Sequence, residues 1–443
     1  VTDIAIIGSG IAGLGAAFRL AKDTCIGPLC SITLYESNDY VGGHANTALI
    51  PKPLPATKDQ DGEAGQSSYI PIDTGFMVFN KITYPHLTDL FQRLGVEISP
   101  TDMSFSVQHQ ASGLEYAGAS LNRLFGQRRN VLNLRFWRML MQLNRFNNEA
   151  LLALDSSVYD DLTLEEYVTA RCYGEDLLEL YLVPMSSAVW STPPELMLGF
   201  PAKTLLRFFH NHGFLGMNTQ HQWWTVRGGS RNYVNRLIEA VKPSVKLNSP
   251  VRSVVSHKHC VEIVSDAGVA RHDKAIIATH ADQALLMLDA PELIEKNLLQ
   301  HFSYQKNSAI LHTDDSVMPE SFNCWASWNY HLVAKEHSAK AAASTHYWMN
   351  SLQNLATDHQ YFVSINAEHL VQPSKILRHF SYTHPLFSLD AVKAQKSLGQ
   401  LNSQSPDQKV FFCGSYFRYG FHEDALVSGY LAADALASCA VLV

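Results

Sequence analysis

The stretch Ile4-Ala5-Ile6-Ile7-Gly8-Ser9-Gly10-Ile11-Ala12-Gly13 decides how the rest of this chain is read. The apolar run Ile4–Ile7 suits a buried parallel strand. Three glycines at the spacing G-x-G-x-x-G follow it, and Leu14 to Leu20 continues as an Ala-rich helical pattern. A second apolar strand, Ile32-Thr33-Leu34-Tyr35, ends on Glu36. Such a βαβ unit is a dinucleotide fingerprint. Gly8 makes the tight turn, Gly10 admits a pyrophosphate against the backbone, and Gly13 lets helix and strand pack closely. Free N–H groups and a partial positive charge at the helix start face the phosphates, and Glu36 stands where ribose hydroxyls would be held. A glycine-rich turn in some other α/β domain is the plain alternative, but strand, glycines, helix, strand and acid fall here in order.

Composition narrows the rest. With 443 residues, 46% hydrophobic and 17% charged, the chain can bury a large core, most simply as two domains. A net charge of −7 gives no global reason to expect nucleic acid. The seven cysteines show neither CxxC nor Cys/His metal spacing, so reduced thiols, no metal and a cytoplasmic location are expected. The first strand starts almost at residue 1 without a basic leader, so no signal peptide is expected. No apolar run reaches about 18 residues, so any membrane contact would be peripheral.

Further along, Val41-Gly42-Gly43-His44 brings a glycine pair to a bound cofactor, and residues 51 to 69 read as an exposed Pro/Gly loop. Ile70 to Val78 is a strand interrupted by Gly75, Tyr84 to Leu94 a helix, and Met103 to Tyr116 a hairpin turning near Gly113. From Leu121 to about Phe214 the pattern is helical. Within it Arg123, Arg128, Arg129, Arg135, Arg138 and Arg145 occur with no acid between them, interleaved with Phe125, Phe136 and Trp137. Either a core helix with a solvated basic face or a peripheral surface for anionic lipid explains that run. Strands are expected at Trp223–Val226, Val245–Val255, Cys260–Val264 and Lys274–Thr279. Others are expected at Tyr304–Thr313, Phe322–Tyr330, His346–Asn350, Tyr361–Ile365 and Lys409–Cys413. Helices are expected from Ser230 to about Val241, over Leu389–Asn402 and over Asp424–Leu436.

The far end of the chain separates FAD from NAD. A late strand closing on Cys413-Gly414-Ser415, then Gly420 to Ala425 and Ser428-Gly429, returns to the first βαβ unit with a helix start rich in small residues. A helix so placed turns its positive end toward a flavin ring. With Gly8–Gly15, Glu36, Val41–Thr47, Asp73–Asn80, Trp223–Tyr233 and Cys413–Gly429, the sequence resembles the flavin amine oxidase and phytoene desaturase superfamily. More closely, it resembles the bacterial branch of predicted NAD/FAD-binding oxidoreductases.

The resemblance spans essentially the whole chain and implies an α/β fold. A discontinuous Rossmann-like FAD-binding domain would comprise 1–80, 225–290 and 403–443. An α+β substrate domain, 81–224 and 291–402, would carry a mixed or antiparallel sheet and a helical part at about 120–215. It implies that Gly8, Ser9, Gly10, Ala12, Gly13, Glu36, Gly43 and His44 contact the adenosine and diphosphate. Gly75, Phe76 and Met77 would flank the isoalloxazine, Val251 would meet the adenine, and Gly414, Ser415, Glu423, Asp424 and Ala425 would hold the ribityl chain and ring. His44 departs from the usual Arg or Lys, and Ser415 from the usual Asp. No cysteine pattern suggests covalent attachment, so the FAD is expected to be non-covalent.

Because the flavin carries the chemistry, few protein groups are required. Lys306, at the start of a strand, could hold a water as in related amine oxidases, or be a surface lysine. His312, His384 and His422 are candidates for proton transfer, His422 foremost. Trp190, Trp223, Trp224, Trp325, Trp328, Tyr330, Tyr347 and Trp348 suggest an apolar tunnel, with Asp314 the main acid near it. The expected substrate is a long apolar molecule: an unsaturated or modified fatty acyl chain or a polyene. An amine or amino-acid oxidase and a non-catalytic flavin scaffold or redox sensor are the alternatives.

Overall fold

The computed structural model describes residues 2–52, 68–216, 219–333, 342–402 and 408–441. Its centre is a five-stranded, wholly parallel sheet ordered Ser244–Lys246, Cys30–Tyr35, Thr2–Ile7, Lys274–Ile277, Val410–Phe412. The strands pair in step, Ile7 with Tyr35 and Ile277, and Ile277 with Phe412, so their carboxyl ends finish at one level. The opening βαβ unit is as expected, with the helix running Ile11–Asp23.

The last helix, His422–Val441, lies against that first helix. Close approach is possible because a Cβ on Gly429 would stand 2.2 Å from the Ala12 carbonyl oxygen. Arg19 reaches across to the Asp434 carboxylate at 2.9 Å. The two ends of the chain thus meet in one layer.

A seven-stranded sheet forms the second unit. Its order is Ile376–Leu386, Ser303–His312, Phe362–Ile365, Ala342–Trp348, Trp328–Val333, Phe105–His109, Leu114–Ala117. Every pair is antiparallel except Trp328–Val333 with Phe105–His109, so the sheet is mixed. Its longest strand, Ile376–Leu386, is absent from the sequence reading. Arg378, His379, Ser381, Thr383, His384 and Pro385 give it no apolar alternation, and as an edge strand it tolerates both that polarity and the proline.

Boundaries moved elsewhere too. Phe322–Tyr330 resolves into a 3-10 turn, Phe322–Cys324, and the strand Trp328–Val333. His346–Asn350 is the end of a strand followed by the helical turn Met349–Leu352. The helix expected over Leu389–Asn402 stops at Gln395 and resumes as a 3-10 segment around Gly399, a poor helix former. The strands Thr47–Pro51 and Tyr69–Asp73 pair up to Pro51 and Tyr69, so the expected loop is shorter at both ends, and its middle lies outside the described residues.

Helices fill most of 121–211, led by Leu134–Asp155. A π-helical turn, Leu178–Leu182, precedes the helix Val183–Trp190. Pro184 has no N–H to give the Leu180 carbonyl. The buried Tyr116 hydroxyl donates to that oxygen instead, at 2.5 Å. The helix that follows ends on Val189 and Trp190, which line the cavity described next. Among the described residues no helix is long and apolar enough to cross a membrane.

Candidate functional site

Parallel α/β sheets bind ligands beyond the carboxyl ends of their strands. Here those ends deliver Gly8, Glu36, Ala278 to His280, and Gly414 with Ser415, all lining one cavity of about 540 Å³. That volume is in the range of small-molecule sites.

At the nucleotide end, Gly8 has φ of +102° and a Cβ on it would lie 2.7 Å from the Ala278 carbonyl oxygen. A Cβ on Gly13 would sit 2.0 Å from the Gly8 oxygen, whereas one on Gly10 would meet nothing within 4 Å. Gly10 therefore opens onto the cavity, while Gly13 is closed by packing. The first helix has no side-chain cap and no acid in its first turn, so its N–H groups are left for an anion. The Glu36 carboxylate accepts from the Ser9 N–H at 3.1 Å, from the Ser9 hydroxyl and from the Asn38 N–H at 2.9 Å. Gly43 packs on Gly10, with 3.2 Å between its Cβ position and the Gly10 Cα. Bare helix N–H groups, an open glycine and an acid at the second strand's end fit the diphosphate and ribose of FAD.

The middle of the cavity is held by Gly75, Phe76 and Met77. They follow Asp73, a buried carboxylate receiving Thr47, Ser230 and Gln353. Burial raises Asp73 to about 6. Four half-buried histidines line the same cavity: His44, His280, His384 and His422. Burial, reinforced by mutual repulsion for all but His280, lowers His44 and His280 to about 4 and His384 and His422 to about 3. All four are neutral at pH 7. The His44 Nε2 and His280 Nδ1 are buried without a hydrogen-bond partner. His384 Nδ1 lies 2.9 Å from the Asn307 amide, and His422 Nε2 lies 2.8 Å from the Tyr233 hydroxyl. The His422 ring stacks on Phe76, centroids 3.7 Å apart.

The far end is aromatic and aliphatic. Trp190, Trp223, Trp328 and Tyr347 line it as the sequence suggested. Trp224, Trp325, Tyr330 and Trp348 do not. Trp325 and Trp348 pack edge to face on each other in a separate small core with Ile310 and Phe362. In their place the cavity takes Met103, Phe208, Phe214, Phe421 and Tyr382, which the sequence reading did not single out. Tyr382 comes from the unrecognised edge strand. Phe208 comes from the helix Ala202–Asn211, where its neighbour Phe209 is equally buried and only the fold separates the two.

Of the expected cofactor residues, Gly8, Ser9, Gly10, Ala12, Glu36, Gly43, His44, Gly75, Phe76, Met77, Gly414, Ser415 and Ala425 line the cavity. Val251 does not; it packs beneath the parallel sheet. Glu423 does not either. Its carboxylate takes the N–H groups of His86 and Leu87, at 2.9 Å each, and so caps the helix Pro85–Leu94. Asp424 is turned to the Phe421 N–H, and burial raises it to about 7. Lys306 is exposed and lines a separate shallow depression with Glu368 and His379. His312 is bonded to Ser364, and Asp314 is paired with Lys375 at 3.1 Å; neither lines the cavity. A backbone turn cannot tell from sequence which of several following carboxylates faces inward.

The model of the family of flavin-containing amine oxidoreductases matches residues 11–437. No curated protein matches the chain. Among solved structures, cyclohexylamine oxidase from Brevibacterium oxydans is similar, with 17% identity, 98% of each chain covered and a TM-score of 0.65. A putrescine oxidase bound to putrescine shares 14% over 98% of each chain, with a TM-score of 0.64. A CLA-producing fatty acid isomerase from P. acnes shares 15% over 97% of each chain, also at 0.64. At such identities the likeness is one of fold, and the fold alone does not choose between amine and acyl chain.

Proposed function

The chain belongs to the family of flavin-containing amine oxidoreductases, and on that premise we propose that it desaturates, oxidises or isomerises a long apolar substrate, an unsaturated or modified fatty acyl chain or a polyene. Bound FAD supplies the hydride transfer. The chain's own residues bind, orient and keep water out. The first helix and Glu36 hold the diphosphate and ribose. The Gly75–Met77 segment and the Gly414-Ser415 turn would flank the ring, and no cysteine among the described residues lines the cavity to form a cysteinyl bond to it.

One observation supports the apolar substrate. Among the described residues lining the cavity, Glu36 is the only acid, and neither lysine nor arginine is present. Glu36 is at the nucleotide end, so the aromatic end has no fixed charge. An alkylammonium entering there would lose its water with no counter-ion, at a cost of several kcal/mol. A hydrocarbon chain gains about 0.8 kcal/mol per buried methylene. The four neutral histidines add no standing charge to the cavity; His422, held by Tyr233, and His384, held by Asn307, are candidates for passing a proton.

Anaerobic mixing of the FAD-loaded protein with unsaturated acyl chains, free or in phospholipid, is expected to bleach the flavin or return a double-bond isomer. Putrescine and cyclohexylamine are expected to do neither. Bleaching by the amines alone overturns the acyl reading in favour of an amine oxidase. No response to either class leaves a flavin-holding scaffold.

A further inference from the structure

We propose that the helical lobe docks on an anionic bilayer through a single apolar patch framed by arginines. The patch centres on Leu132 and Leu134, which are 87% and 84% exposed. Leu134, Trp137 and Met141 follow at i, i+3 and i+7 along the helix Leu134–Asp155, so they form one stripe. Phe136, Met139 and Phe146 of the same helix are fully buried. The outward stripe is therefore a second apolar face, unpartnered among the described residues. Leu121 and Phe322, each about two-thirds exposed, belong to two turns that pack on each other, Leu121–Leu124 and Phe322–Cys324, and the first of these turns leads into Phe125, which packs on Trp137.

The patch is rigid. The Trp137 indole N–H donates to the Val131 carbonyl at 2.9 Å, and the Phe125 ring packs 5.2 Å from Trp137. Exposed leucines beside a fixed tryptophan and arginines are what a headgroup–acyl boundary accommodates.

The arginines of this run are not equivalent. Arg135 and Arg138 both pair with Asp176, and Arg145 pairs with Glu149 at 3.0 Å, so acids outside the run answer them. Arg123, Arg128 and Arg129 instead donate to carbonyl oxygens, of Trp325, Phe125 and Gly113 respectively. Those bonds orient the guanidinium groups without cancelling their charge. None of the three makes an ion pair among the described residues. Two acids lie near them: buried Glu115, whose carboxylate accepts from the N–H groups of Glu320 and Ser321 and is oriented but not neutralised by them, and exposed Glu320, two residues before Phe322. In a chain of net charge −7, these three arginines outnumber the two nearby acids, Glu115 and Glu320, beside exposed leucines.

That charge selects the occupant. A two-fold contact between copies would set the same patch against itself and bring arginines face to face. A surface of lipid phosphates reverses the sign of that interaction, at about 1 kcal/mol per arginine near the surface. The inference goes beyond the proposed substrate and does not need it, because binding is read without turnover.

Sedimentation of the full FAD-loaded chain with phosphatidylcholine vesicles, with and without phosphatidylglycerol, tests it. The wild type is expected to pellet with the anionic vesicles and to be released by salt. Leu132→Ser with Leu134→Ser is expected to lower partitioning at least about tenfold. Arg128→Gln and Arg129→Gln are each expected to lower it about fivefold. All variants should keep wild-type flavin content and melting midpoint, since these side chains are on the surface. Wild-type partitioning by the double leucine variant, or no preference for anionic vesicles, overturns the proposal. So does a salt-stable dimer abolished by the leucine substitutions, which assigns the face to a second copy.

Discussion

At one end of the cavity Gly8, Ser9 and Gly10 are consecutive in the chain, and Glu36 arrives on the adjacent strand. At the other end Met103, Val189, Phe208, Trp328 and Tyr347 come from separate helices, loops and strands. The first end recognises by backbone: helix N–H groups, tight glycine contacts and one carboxylate. The second recognises by bulk, with rings and aliphatic chains and no charge. A backbone site admits almost no substitution, because its fit lies in ångström-scale approach. A site made of side-chain volume tolerates exchange and changes preference in steps.

The largest expected effect follows from that contrast. Gly13→Val places a branched side chain where even a Cβ would lie 2.0 Å from the Gly8 oxygen. Strand and helix must separate, and the protein is expected to purify colourless, with FAD affinity reduced more than about 100-fold by titration. A variant that retained yellow colour would show that the turn does not carry the cofactor. At the other end, Met103→Glu adds a carboxylate to a wall that has none. Flavin content should be unchanged while KM for an acyl substrate rises about tenfold or more. Loss of FAD in that variant would mean that the two ends are not separable.

The middle of the cavity yields a pH dependence. His44 titrates near 4 when folded, against 6.5 for a free imidazole. The unfolded chain therefore binds the extra proton first as acid is added. Stability from this group is complete above about pH 6.5 and is lost as pH falls through the folded value, roughly 3 kcal/mol at most. His280, His384 and His422 act in the same direction. Melting midpoints are expected to fall steeply from pH 6.5 toward pH 4, and His44→Gln to flatten the slope. An unchanged slope would mean that His44 does not stay neutral in the fold. The smallest effect is expected for Lys306→Met. Lys306 is exposed and outside the cavity, so the rate of flavin reduction should change by less than about twofold. A large loss would bring it back as a water-holding group.

What the sequence determined by itself is the nucleotide end and the sheet that makes it. Short-range signals suffice there: an apolar strand, glycines at fixed spacing, a helix, a strand ending in an acid, and a closing strand with its own glycine. The largely antiparallel character of the second sheet was legible as well, but its one parallel pair and its longest strand were not, since an edge strand with polar faces leaves no alternation to read. Only the tertiary structure decided which aromatic rings face the cavity. Phe208 and Phe209 are adjacent and both buried, yet Phe208 alone lines it. It also turned Glu423 to cap a helix, withdrew Lys306 to the surface and divided the arginines between those answered by Asp176 and Glu149 and those left charged. Periodicity reports that a residue is covered, whereas what covers it depends on segments far along the chain, which only the packed fold brings together.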